Sequence, residues 1–332
     1  MKKSLIALAV LAASGASFAQ SSVQAYGLLD VFVASVKDAK TTTVLGSGGV
    51  NTSRWGLKGS EDLGGGLKAN FKLEQGFDVS TGAAGTATVG EFPGTAAQAF
   101  DRQAYVGLSG GFGEVQLGKS WSAYDDVSGS SDAMWNANAL STMWNGGKSG
   151  NYLDRPINGI KYIAPTISGL TGAVSYSLKE GSTTLPSITA VSLDYAGGPL
   201  GAQVGYQVQS TTGLAEVKFL RLGASYNLGM VTPKVMYGKV DNYGNVNGAQ
   251  TTEWQIGADV PVSATFALSA SYGKSDDNAT GGNADRKSFA LGGKYDLSKR
   301  TFLYGGYLNV KTSNTVPTPD YTVFALGVQH KF

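Results

Sequence analysis

Beyond its first twenty residues the chain alternates between apolar and polar positions with a period of two. Leu170, Gly172, Val174 and Tyr176 interleave with Thr171, Ala173, Ser175 and Ser177, and Ala202, Val204, Tyr206 and Val208 interleave with Gln203, Gly205, Gln207 and Gln209. The same rhythm runs through 253–259, 266–273 and 288–295. Successive side chains of a strand point to opposite faces, so each such segment predicts a half-apolar β-strand. The spacing of three and four that marks an amphipathic helix is hard to find.

The stretches between strands come in two kinds. Short turn signals at 61–66, 110–113, 197–201, 227–231, 261–265 and 296–300 alternate with longer Ser/Thr/Gly/Asn/Asp-rich segments at 37–52, 80–99, 120–153, 241–250, 275–285 and 311–320. A meander with tight turns at one end and long loops at the other is the layout of a transmembrane antiparallel β-barrel. Sixteen strands of roughly 9–11 residues use about half of the chain and leave eight loops of roughly 15 residues. Eight or ten strands leave too much loop; eighteen also fit.

A soluble sandwich alternates too, so the character of the two parities decides. Tyr176, Tyr195, Tyr206, Tyr226, Tyr237, Tyr272 and Tyr295 sit at strand ends on the apolar parity, which suits interfacial girdles; Tyr26 lies on the opposite parity. The apolar parity is rich in Ala, Val, Leu and Gly and nearly free of charge, as lipid contact requires. The polar parity carries isolated charges, as in a hydrated lumen. Closure into a barrel also removes sheet edges, which hydrocarbon does not tolerate. The last strand, YTVFALGVQHKF at 321–332, sets Phe324, Leu326, Val328, His330 and Phe332 on one face. A terminal Phe behind alternating apolar residues resembles the assembly signal of bacterial outer-membrane barrels, which makes Phe332 that signal and His330 a girdle residue.

The N-terminus follows a different logic. Lys2 and Lys3, an apolar run from Leu5 to Ala13 and Ser17-Phe18-Ala19 form the pattern of a secretory signal cut after Ala19. The domains are then a leader at 1–19 and a single barrel at 20–332. The whole chain has 26 Lys plus Arg against 24 Asp plus Glu, and removing Lys2 and Lys3 leaves 24 of each. Such neutrality argues against nucleic-acid binding, which needs a clustered positive excess. The chain has no cysteine and one histidine, so thiol chemistry, Cys-based metal sites and a His-dependent catalytic set are all poorly supplied. The expectation is no enzyme, no cofactor and no metal.

Several segments resemble a known family. VQAYGLLD at 23–30, RWGLKGSEDLGGGLKA at 54–69, DRQAYVGLS at 101–109 and the Phe-terminated last strand are similar to the Gram-negative general diffusion porins, nearest the anion-selective porins of beta-proteobacterial type. The resemblance covers the mature chain in layout and is specific over about its first hundred residues. It implies a 16-stranded barrel in the outer membrane of a Gram-negative bacterium, a homotrimer, and a third loop folded into the lumen. The expected partners are outer-membrane lipid, further copies of the chain, and small ions and hydrophilic solutes.

Parity then nominates a pore lining. If Trp55 faces lipid, Arg54 and Lys58 face water; outward Leu67, Ala69, Phe71 and Leu73 turn Lys68, Asn70, Lys72 and Glu74 inward. Arg102 shares parity with Val106 and Leu108 and is placed in the lumen by the resemblance alone, as is Arg155; parity alone puts Arg221 and Lys234 inward. Arginine suits a pore wall because its charge does not titrate away and its planar fork fits carboxylate and phosphate. Asp125, Asp126 and Asp132 of the third loop are expected to face this basic set across the narrow point. The result is a passive channel with a modest anion preference, diluted by inward Asp30, Glu74, Glu114, Asp194, Glu253 and Asp259.

Two alternatives stand beside it. A substrate-specific channel, such as a sugar pore with an aromatic slide, is suggested by Trp121, Trp135 and Trp144, and a secreted adhesin would explain export and β content alone. Gly113 to Ser120 matches the P-loop letters, but alternation makes its interior a strand and a loop follows, which a phosphate cradle does not allow. The sequons at Asn51 and Asn278 carry no information in a bacterium, and Asp276-Asp277-Asn278 lacks calcium-loop spacing and is expected to be a solvated loop.

Overall fold

The computed structural model describes residues 22–85, 99–127, 129–278, 285–313 and 320–332. The leader at 1–19 and most of the expected loops at 80–99 and 311–320 lie outside the described residues. The strands, in chain order, are β1 (Ser22–Lys37), β2 (Thr41–Ser47), β3 (Arg54–Gly64), β4 (Leu67–Gly76), β5 (Gln103–Gly110), β6 (Gly113–Lys119), β7 (Gly159–Ile163), β8 (Leu170–Ser177) and β9 (Ser187–Gly197). They continue with β10 (Leu200–Ser210), β11 (Val217–Tyr226), β12 (Thr232–Asp241), β13 (Gln250–Pro261), β14 (Phe266–Asp277), β15 (Asp285–Asp296), β16 (Thr301–Ser313) and β17 (Tyr321–Lys331).

From β3 onward each strand pairs antiparallel with the next, and β1 pairs with β17 over Leu28 to Lys37. The ring is sealed where Gly27 and Phe332 exchange both backbone hydrogen bonds at 3.1 Å. On its other edge β1 pairs with β2 over Val31 to Lys37 and with β3 over Ser22 to Leu28. β2 and β3 are therefore one wall strand interrupted at 48–53, and the closed antiparallel barrel has sixteen strands. The sequence reading of 37–52 as one loop is corrected here: the chain leaves the strand only at 38–40 and again from 48, and Thr41, Thr42, Thr43 and Val44 extend along β1. Their threonines look loop-like by polarity, but a branched β-carbon favours the extended backbone.

Asp30 holds the interruption in place. Its buried carboxylate accepts the backbone N–H groups of Gly49 (3.0 Å), Val50 (3.0 Å) and Asn51 (2.9 Å) and the Tyr304 hydroxyl (2.6 Å). These donors lost their ladder partners where the strand breaks, and a buried N–H must be paired.

Side-chain burial is inverted relative to a water-soluble fold. Val106, Leu117, Val174, Val191, Leu222, Ile256, Leu291 and Leu326 are exposed, while Gln116, Ser175, Gln207, Glu253, Gln255 and Gln329 are buried. A wall that is greasy outside and polar inside satisfies lipid and water at once. The exception to this burial pattern is the third loop, described at 120–127 and 129–158, which carries two single-turn 3₁₀ segments and α1 (Thr142–Gly146), capped by Ser141. Its Met134, Ala137 and Leu140 pack on Ala34, Ala290, Tyr304, Leu308 and Ala325, and Tyr124 and Tyr152 pack on Phe219 and Val240.

Candidate pore lining

The third loop is bonded to the polar parity of strands far away in sequence. Ala123 N–H donates to Ser175 Oγ on β8, Met134 N–H to Ser269 Oγ on β14, and the Ser288 hydroxyl of β15 donates to the Thr142 carbonyl. Its return limb is held by Glu253 of β13, which accepts from the N–H groups of Lys148 (2.6 Å) and Ser149 (3.1 Å), while Arg221 donates to Ser149 Oγ. Lys148 pairs with Asp277 of β14. Asp277 was expected in a solvated loop; instead it ends a strand, buried, because the third loop brings it a cation.

On β3, β4 and the approach to β5 the charges are arranged differently. Glu74, nearly fully buried, lies within ion-pair distance of Arg102 (2.8 Å), Arg54 (3.6 Å) and Lys72 (3.6 Å), and accepts the Tyr26 hydroxyl at 2.8 Å. One carboxylate shared by three cations leaves a local excess of two positive charges. Lys58 and Lys72 lie over the Tyr26 ring at 5.3 and 5.7 Å, and Arg102 and Arg155 lie over the Trp121 ring at 5.3 and 4.7 Å. The five basic residues named from sequence thus form one continuous group, linked through Glu74, Tyr26 and Trp121. They are not equally open: the side chains of Arg54 and Lys72 are 25% and 24% exposed, those of Arg102 and Arg155 only 4% and 3%.

Arg102 defied the parity reading for a simple reason. The strand begins at Gln103, so Arg102 precedes the alternation; its N–H donates to the Glu74 carbonyl and its guanidinium turns back to the Glu74 carboxylate. Tyr26, the parity exception among the aromatics, and Glu74, read only as diluting charge, are both central to the group.

The three loop aspartates do not form one acidic face. Asp126 pairs with Lys161 of β7 at 2.5 Å and remains about one-third exposed. Asp125 accepts the Tyr152 hydroxyl, and burial together with the Asp154 charge pushes its carboxyl up to about 7. Asp132 is fully buried against Gln255 (2.6 Å), and burial pushes it up to about 6. Asp132, expected to face the basic set, is instead bonded through one carboxylate oxygen to Gln255 of β13, away from solvent. Trp144 packs near Arg221 and Tyr152, and Trp135 takes a left-handed backbone in its turn. The P-loop letters fall on β6.

A closed ring of strands with an apolar exterior and a charged, partly open interior defines a membrane-spanning channel protein. Comparison with known proteins specifies which: a family model described as Gram-negative porin matches residues 5–315, and the chain belongs to that family. It is 36% identical to the outer membrane porin protein 32 of Delftia acidovorans, across 99% of this chain and 95% of that protein. It is 28% identical to the major outer membrane protein P.IB of Neisseria meningitidis serogroup B, with both covered completely. Among solved structures, the anion-selective porin from Comamonas acidovorans matches with a TM-score of 0.79 at 27% identity, covering 94% of this chain and all of that one. The chain is accordingly an outer-membrane diffusion channel.

Proposed function

We propose that the channel prefers small anions, and that Arg54, Lys58, Lys72, Arg102 and Arg155 supply the preference. The observation that carries this reading is the sharing of Glu74 by Arg54, Lys72 and Arg102, which leaves positive charge in excess. Within a few ångströms of a low-dielectric wall, such an excess acts on a passing ion far more strongly than it would in bulk water. Arg54, Lys58 and Lys72 meet the solute, whereas the buried Arg102 acts through its field, and Arg155, paired with Asp154 at 3.1 Å, adds less. A series of shallow sites draws anions in without trapping them.

The third loop, bonded to the wall from β8 to β15, narrows the lumen and leaves Arg54, Lys58 and Lys72 of the wall as the opposite bank. Asp126 is the loop acid that borders the passage. The assembled form is a homotrimer, the leader at 1–19 is removed on export, and Phe332, which seals β17 to β1 through Gly27, is the assembly signal.

The test is the reversal potential of the purified protein in a planar bilayer across a potassium chloride gradient. A value on the chloride side is expected, and a value on the potassium side overturns the reading. Arg54→Ala combined with Arg102→Ala should raise conductance and lower the chloride preference.

A further inference from the structure

Two aromatic rings stand among these cations beside two carboxylates, Glu74, which pairs with Arg54, Lys72 and Arg102, and Asp154, which pairs with Arg155 at 3.1 Å. Lys58 and Lys72 share the Tyr26 ring, at 5.3 and 5.7 Å from its centre. Arg102 and Arg155 share the Trp121 ring, at 5.3 and 4.7 Å. Cations of like charge this close repel one another, and there are two ways to hold them together. A carboxylate does it by cancelling a full charge. The face of an aromatic ring does it through its quadrupole and cancels none, and the attraction strengthens where water is excluded, as it is around Arg102 and Arg155.

We infer that Tyr26 and Trp121 are the positioning residues of ion selectivity: together with Glu74 and Asp154 they gather five cations of the pore wall, and they preserve the positive excess that further carboxylates in their place would remove. This rests on the anion-preferring reading above and deepens it. Each ring is placed for the task by its own surroundings. Tyr26 is fixed by its hydroxyl donated to Glu74 at 2.8 Å, so ring, carboxylate and the three cations around Glu74 move as one. Trp121 is the second residue of the third loop, directly before a backbone bond from Ser122 N–H to the Asp154 carbonyl that ties the start of the loop to the segment carrying Arg155. Trp121 therefore joins an arginine from before β5 to one from the far limb of the loop. Its sequence context suggests a sugar-binding surface, but the face is taken by guanidinium groups.

The experiment compares chloride-to-potassium permeability ratios from reversal potentials for the parent, Trp121→Leu, Trp121→Phe, Tyr26→Leu and Tyr26→Phe channels. Trp121→Leu and Tyr26→Leu keep apolar bulk and lose the ring face; each should lower the ratio about twofold or more, in line with the strength of a partly desolvated cation–π contact. Trp121→Phe and Tyr26→Phe retain a ring and should keep most of the ratio, a rescue that simple space-filling does not predict. Equal ratios in the Leu and Phe variants would overturn the inference. A parent channel that prefers potassium would instead overturn the anion-preferring reading itself, so the two failures are distinct. If Trp121→Leu does not yield conducting channels, the Tyr26 pair decides the same question at an independent ring.

Discussion

At the scale of single residues, the inner wall is governed by where carboxylates sit and how many donors each receives. Asp30 receives three backbone N–H groups and a tyrosine hydroxyl, and Glu74 receives three cations and a tyrosine hydroxyl. Both looked alike in sequence, as isolated inward acids. Asp30→Asn replaces one acceptor oxygen by an NH₂ group aimed at N–H donors that cannot turn away. A buried donor left unpaired costs about 1–3 kcal/mol. The heat-induced shift from folded to unfolded mobility on a gel should therefore occur at lower temperature for Asp30→Asn, with Tyr304→Phe showing a smaller change in the same direction. An unchanged transition would mean the break at 48–53 is held by other bonds. Arg102 shows the complementary limit: parity could not place it, because it lies one residue before the strand whose alternation was being read.

At the scale of elements, the third loop is the part whose chemistry responds to pH. Burial raises the Asp125 carboxyl to about 7 and the Asp132 carboxyl to about 6, well above the ordinary aspartate value. An acid whose value is raised on folding stabilises the fold fully only below its unfolded value, and that contribution is lost as pH rises through the folded one. The loop is then packed most firmly in acid and loses that contribution between about pH 4 and 7. The same protonation removes negative charge from the narrow region as pH falls. The chloride-to-potassium permeability ratio should increase when pH is lowered from 8 to 5, and Asp125→Asn should flatten that rise. A ratio that falls on acidification would show that other groups dominate. The strands themselves were legible from period-two alternation, with β2 the exception: its threonines have the polarity of a loop and the backbone preference of a strand, and only pairing with β1 decides between them.

At the scale of the whole molecule, the inverted burial carries its own consequences. With Val106, Leu117, Ile256 and Leu326 exposed on the outer wall, the protein needs lipid or detergent to stay dispersed. Light scattering in detergent should give a particle of three chains, and a monodisperse single chain would overturn the homotrimer. Loss of Phe332 removes the backbone pair to Gly27 that seals the ring, so its deletion should slow refolding into detergent, read as the rate at which the heat-modifiable band appears. A deletion that refolds at the parent rate would restrict the role of Phe332 to recognition during assembly.

Period-two alternation in the sequence was enough for the two-faced strands, the barrel and the shared inward parity of Arg54, Lys72 and Glu74, because alternation is a local property written residue by residue. Tertiary structure alone decided which charges meet. Glu74 acquires Arg102 across 28 positions, and Asp132 acquires Gln255 across 123. Such pairings depend on barrel closure and on the path of the third loop, and a loop without periodicity gives no local sign of the wall it will lie against.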